Sequence, residues 1–207
     1  MSFRRRMMPI ALFGATLLAL GPCGAWGGNT TADMSSHEQH KSRPPVTSTV
    51  PYVVPDVTLV RDDGRTVSLA EEMNDGRPVI LNFIFTSCGS ICPLMSGIFA
   101  QIQRKLGAEA DHIHLMSISI DPEHDTPERL TEYARNFGAG PAWQHYTGTL
   151  DASLAAQRAF DVYRGDRMSH PPVTLMRAAP GLPWRRIDGF LTPDELIHEY
   201  RQLLAAN

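Results

Sequence analysis

The feature that most constrains this chain is the run Pro78-Val79-Ile80-Leu81-Asn82-Phe83-Ile84-Phe85, which leads almost directly into Cys88-Gly89-Ser90-Ile91-Cys92-Pro93. An apolar run without alternation reads as a strand buried on both faces. A chain with such a strand must supply covering layers on both sides of its sheet. From Pro93 to Leu106 the pattern changes to a helical period, with Leu94, Ile98, Ile102 and Leu106 at fourfold spacing and Gly107 as a stop. A buried strand passing through a short turn into a helix is an α/β unit. It sets the cysteine turn at the carboxyl end of a strand, where α/β sheets place their sites.

The remaining pattern extends that unit. Val57–Val60 and Thr66–Leu69, joined through Asp62-Asp63-Gly64, read as an N-terminal hairpin. His112–Ile120 alternates as a second central strand. Thr126-Pro127-Glu128 opens a helix that ends near Gly138. Trp143–Thr147 reads as a strand and Asp151–Phe160 as a helix. Val173–Met176 and Trp184–Ile187 form a closing hairpin, and Thr192-Pro193-Asp194-Glu195 caps a last helix to about Leu204. Strands alternating with helices predict an α/β domain with a central mixed sheet and helices on both faces. The strand–strand–helix ending points to a thioredoxin-like fold.

The first residues look like an address rather than a core. Arg4, Arg5 and Arg6 precede an uncharged stretch from Met7 to Trp26, so residues 1–26 are expected to be a signal peptide or an N-terminal membrane anchor. Leu20-Gly21-Pro22-Cys23 has some of the look of a lipoprotein cleavage box, and cleavage, anchoring and lipidation stay open. Residues 27–51 are polar, rich in Ser, Thr, His and Pro, and are expected to be a flexible linker. His37, His40 and Met34 lie in it, where a solvated tether is the ordinary reading. Residues 52–207 remain for the folded domain. The expected location is the periplasm or the outer face of the inner membrane. A net charge of -3 supplies no basic excess for nucleic acid or anionic lipid.

With Cys23 in the leader, the exported domain keeps only Cys88 and Cys92. A disulfide scaffold needs more pairs, so one close pair points to redox chemistry or metal binding. Two cysteines four apart converge when the second enters the first helical turn. A helix N-terminus favours thiolate, and thiolates select Cu(I). A third ligand is expected, and His170, before the strand Val173–Met176, is the candidate. Asp121, Glu123 and Asp125 form an acidic loop. The loop is a candidate for orienting His170 by a hydrogen bond, with Asp121 foremost, or for receiving a partner protein; a solvated capping loop is the ordinary alternative.

The segments Phe83–Pro93, Ser117-Ile118-Ser119-Ile120-Asp121-Pro122-Glu123-His124-Asp125-Thr126-Pro127 and a histidine before the penultimate hairpin together resemble the Sco/SenC family over roughly residues 51–204. The resemblance implies a thioredoxin-fold copper protein that helps build the copper centre of cytochrome c oxidase. Its two cysteine ligands fall on Cys88 and Cys92 and its distal histidine on Met168-Ser169-His170. The chain departs from the family where Pro171-Pro172-Val173-Thr174-Leu175 replaces a Ser-rich run. The implied cargo is copper, as Cu(I) with Cu(II) left open. The implied partners are a membrane-bound acceptor, a cytochrome c oxidase subunit, and other copper carriers, with the chain working as a monomer.

A thiol–disulfide oxidoreductase is the competing reading, with Cys88 as nucleophile and Cys92 resolving, keeping an acceptor's cysteines reduced. A thiol peroxidase fits less well, because Leu81 and Phe85 stand where such sites carry Pro and Thr or Ser. An inert disulfide is the bland alternative. His112, His114, His145 and His198 show no zinc-site spacing with cysteine. Met168 is read as an exposed or gap-filling residue rather than a thioether ligand.

Overall fold

The computed structural model describes residues 44–206. The expected leader and most of the expected linker, with Cys23, His37 and His40, lie outside the described residues. Among the described residues, no helix is long and apolar enough to cross a membrane.

Eight strands form one mixed sheet. They are β1 (Val46–Val50), β2 (Thr58–Arg61), β3 (Thr66–Ser68), β4 (Val79–Ile84), β5 (His114–Ser119), β6 (Trp143–Gly148), β7 (Val173–Arg177) and β8 (Trp184–Asp188), in the order β1-β8-β7-β4-β5-β6-β2-β3. β4 sits between parallel β5 and antiparallel β7, and β5 pairs parallel with β6. β2 pairs antiparallel with both β3 and β6. Every residue of β4 and of β5 is buried, as the unbroken apolar run of β4 requires.

Helices cover both faces. α2 (Ile91–Leu106) and α5 (Pro193–Ala205) enclose Ile80, Leu115, Trp143, Met176 and Ile187 on one side. On the other, α1 (Leu69–Met73) and α4 (Leu150–Ala159) cover Val79, Leu81, Phe83, Leu175 and Trp184. α3 (Pro127–Phe137) carries the β5–β6 crossover and meets α2 through a 2.7 Å hydrogen bond between Ser96 and Tyr133. The caps follow the sequence. Thr126 and Thr192 accept from the backbone three residues on, each ahead of Pro, and Thr192 with Glu195 completes a capping box.

Three local expectations change. Val46–Val50 falls in the expected linker, yet it is strand β1, paired antiparallel from Val46↔Asp188 to Val50↔Trp184. A β-branched edge strand needs a ladder of hydrogen bonds, not a buried face, so a composition reading passes over it. Gly189, at φ +108°, sits where a Cβ would meet the Pro45 backbone at 3.2 Å, which lets the chain entering β1 cross the end of β8. In α2, Leu94 is exposed; the buried stripe is Met95, Ile98, Phe99, Ile102 and Leu106. His112 is exposed, at the end of the 3-10 turn Gly107–His112, ahead of β5 rather than on the strand.

Candidate metal centre

β4 ends at Ile84, and Cys88 N–H donates to the Phe85 carbonyl at 3.1 Å, closing a tight turn. α2 then begins at Ile91. Its N-cap residue, Ser90, makes no side-chain cap, so first-turn N–H groups are left without intrahelical partners. Cys88 supplies one acceptor: the Cys92 N–H donates to Cys88 Sγ at 3.4 Å. The sulfur of the first cysteine thus caps the helix that carries the second. Both thiols are free, and both are buried.

The two thiols differ sharply. Burial alone pushes Cys88 upward, but the backbone N–H groups of Cys92 and Ser90, with their side chains, outweigh it and lower the Cys88 thiol below the ordinary range. Deeper burial drives the Cys92 thiol far upward, and neighbouring Cys88 and Asp125 push the same way. Cys88 is therefore the thiolate-prone sulfur and Cys92 the protonated one.

His170 follows the 3-10 turn Arg167–Ser169 and is buried. Its Nε2 lies 3.1 Å from the Phe83 carbonyl oxygen, and the ring stands edge-on to Phe83 at 6.5 Å. A carbonyl only accepts, so the proton sits on Nε2 and the lone pair on Nδ1, which makes no hydrogen bond although the Val162 carbonyl also lies against the ring. Burial lowers the ring's pKa, against the pull of the Phe83 and Val162 carbonyls, and nearby Arg164 adds to the lowering. The imidazole is neutral, as a metal ligand must be.

Among the described residues no three His, Cys, Asp or Glu side chains converge on a point where a metal ion would sit. The cysteines stand together and His170 is docked on the strand that delivers them, without the three being assembled. The donor set still fits a soft monovalent ion: two sulfurs, one already thiolate-prone, and a neutral nitrogen with a free lone pair.

Asp121 does not touch His170. Its carboxylate accepts from Arg167 at 2.7 Å and from His124 Nδ1 at 3.0 Å. It thereby ties down the loop that carries His170 without orienting the ring. Glu123 is exposed. Asp125 is the residue the sequence reading undervalued, because it is fully buried rather than solvated. It accepts from the Thr86 N–H at 3.2 Å, the Thr86 hydroxyl at 2.5 Å and the Ser119 hydroxyl at 2.6 Å. A usable signal was present: an Asp one place before a Thr-Pro helix start, in a loop leaving a strand that neighbours the cysteine strand.

The other candidates lie elsewhere. Met168 is 71% exposed. His114 is buried between the Glu72 carbonyl and Tyr146. His145 packs on Trp143 with Asp62 at 3.4 Å, and His198 pairs with Gln202 on α5.

The sequence model of the SCO1/SenC family matches residues 47–205. Among curated proteins, the SCO1 protein homolog of Bacillus subtilis (strain 168) is 38% identical over 104 residues, 50% of this chain and 53% of its own length. The matched stretch spans between 30% and 57% of the length of the curated relatives. Among solved structures, Arabidopsis thaliana ScoI with copper bound superposes with a TM-score of 0.63 at 25% identity, covering 75% of this chain and 99% of that one. BsSco, described as a Sco family cytochrome c oxidase assembly protein with a disulfide switch, gives 0.64 at 26% identity, covering 78% and 99%. The mixed sheet with helices on both faces is the thioredoxin-like architecture of these Sco structures.

Proposed function

The chain belongs to the SCO1/SenC family, and from that membership we propose that it is an exported Cu(I) carrier whose ligands are Cys88, Cys92 and His170. Copper-bound relatives supply the cargo, the role of BsSco in cytochrome c oxidase assembly supplies the acceptor class, a respiratory oxidase, and the family resemblance points to its copper centre. The observation that carries the reading is the sulfur pair at the start of α2, where Cys88 Sγ already takes the Cys92 N–H at 3.4 Å. Copper meets the Cys88 thiolate first and displaces the Cys92 proton as the second bond forms. His170 completes the site by turning its Nδ1 lone pair from its pocket. The expected leader sets the protein on the outer side of the inner membrane. A tether there raises the effective concentration of copper at a membrane-bound acceptor.

Anaerobic titration of the reduced chain tests this. One tightly held Cu(I) per chain is expected, and Cys92→Ser should abolish retention. Wild-type protein that takes up no Cu(I) in competition with a chromophoric chelator overturns the reading.

The inequality of the two thiols favours a second activity on the same residues. The Cys88 thiolate attacks one sulfur of an acceptor disulfide and releases the other as a thiol after protonation. Cys92 then loses its proton, attacks Cys88 in the mixed disulfide and releases the reduced acceptor, leaving a Cys88–Cys92 disulfide. If Cys92→Ser keeps copper but loses disulfide reductase activity, this becomes the main role.

A further inference from the structure

We propose that Asp125 is the positioning residue of the cysteine pair: through Thr86 its buried carboxylate fixes the Phe85–Cys88 turn, and so presets Cys88 Sγ over the start of α2. The inference deepens the copper-carrier reading and rests on it for the cargo, but not for the geometry.

The turn has little else to hold it. Between the end of β4 at Ile84 and the start of α2 at Ile91 the chain has no regular structure. Ser87, Gly89 and Ser90 are exposed, and Ser90 makes no side-chain cap. Within the turn, Cys88 N–H reaches back to the Phe85 carbonyl. Thr86 is the next residue after Phe85, and both of its polar donors end on Asp125. The backbone N–H lies 3.2 Å from each carboxylate oxygen, and the hydroxyl lies 2.5 Å from Oδ1. The carboxylate is fixed in turn by the Ser119 hydroxyl at 2.6 Å, from the end of β5. The cysteine turn is therefore bolted to the neighbouring parallel strand through one side chain.

The chemistry of Asp125 argues that this is more than packing. Asp121, four residues earlier, takes a guanidinium and an imidazole. The donors to Asp125 are neutral. A buried carboxylate served only by neutral donors carries a large desolvation cost. The N-terminus of α3, which starts two residues on at Pro127, offsets part of it. A neutral Asn could not accept from Thr86 N–H, Thr86 hydroxyl and Ser119 hydroxyl together, since its Nδ2 only donates. The carboxylate is the group that satisfies all three donors. The carboxylate is buried beside the cysteine pair, and partners that orient ligand-bearing groups change metal affinity by about 10–100-fold.

The test uses the reduced full-length chain, with Asp125→Asn, Thr86→Val and Thr86→Ser. Two quantities are read: Cu(I) affinity by chelator competition, and the rate of Cys88 alkylation by iodoacetamide, followed at that residue by mass spectrometry. Asp125→Asn and Thr86→Val should each weaken Cu(I) binding by about tenfold and slow Cys88 alkylation several-fold. Thr86→Ser, which keeps the donor, should restore both. A general loss of packing would not be rescued by a hydroxyl alone. If Asp125→Asn fails to fold, the Thr86 pair decides. If Thr86→Val matches wild type within about twofold in both readouts, the proposal is overturned. Wild-type protein that binds no Cu(I) sinks the carrier reading, and the alkylation rates still judge Asp125.

Discussion

Nε2 of His170 lies 3.1 Å from the carbonyl oxygen of Phe83, on the strand that leads to Cys88. The nitrogen arm of the proposed site is thus parked on the element that delivers the sulfur arm. The contact fixes the tautomer, while burial, against the pull of the Phe83 carbonyl, keeps the ring neutral. It also leaves Nδ1 as the nitrogen with a lone pair to give. On the proposed reading, capture of the ion requires a movement of the His170 ring and no change in the protonation of that ring.

That relationship predicts which nitrogen binds. In selectively labelled protein, adding Cu(I) should move the Nδ1 resonance of His170 and leave the proton on Nε2. His170→Ala should weaken Cu(I) binding at least about tenfold, the scale on which even a ligand's supporting partner acts, with the circular dichroism spectrum unchanged. A large Nε2 shift with Nδ1 unmoved would assign the opposite nitrogen.

Acid should destabilise the fold through the same ring. Burial holds the folded His170 below the ordinary histidine value near 6.5, and burial also lowers His114 despite the Asp75 and Glu72 carboxylates. Below about pH 6.5 the unfolded chain takes up protons that the folded chain refuses. Stability is therefore full above that pH and falls as pH drops toward the folded values, by about 1.4 kcal/mol per pH unit for each proton. Urea midpoints at pH 7.5 and 5.5 measure it. His170→Gln should flatten the slope by one proton; an unaltered slope would refute its share.

The central unit was legible because its signals are local and unambiguous. The apolar run of β4, the caps Thr126 and Thr192, and the cysteines at a helix start each encode structure within a few residues. Two features depended on partners far along the chain. β1 has no buried face, and only β8 makes it a strand. The roles of Asp121 and Asp125 are the other case. Both sit in one acidic loop, and sequence gave no means of telling them apart. Thr86, 39 residues before Asp125, and Arg167, 46 residues after Asp121, divide them. Leu94 misled for a smaller reason: fourfold spacing drifts off a 3.6-residue period, so the first member of the row turns to solvent.

The Arg167–Asp121 pair should govern how firmly the His170 loop is held. Asp121 is buried, while the Arg167 side chain is 45% exposed, so solvent screening keeps the contribution to global stability small, under about 1 kcal/mol. Locally the pair is the tie between the turn Arg167–Ser169 and the end of β5. Arg167→Ala should raise amide exchange at Ser169 and His170, whose N–H groups bond to Asp166 and Arg167. Strands β4 and β5 should keep their protection. Equal exchange in both proteins would show that the loop is held by other contacts.

Phe160 should be a core side chain whose loss reaches the site through Phe83. It is fully buried at the end of α4, with its ring 5.0 Å from Trp184, 5.6 Å from Tyr52 and 6.0 Å from Phe83. Phe83 in turn supports the His170 ring edge-on. Phe160→Ala should cost about 3–5 kcal/mol through lost burial and the cavity left behind. For a chain of this size that lowers the melting temperature by about 6–20 °C. Phe83 should gain freedom as its neighbour disappears, so His170 should lose order and Cu(I) affinity should fall. Phe160→Leu, which fills more of the space, should lie between wild type and Phe160→Ala in both. A full loss of stability with unchanged copper affinity would show that Phe83 holds its position without this ring, and that the core and the His170 pocket are uncoupled.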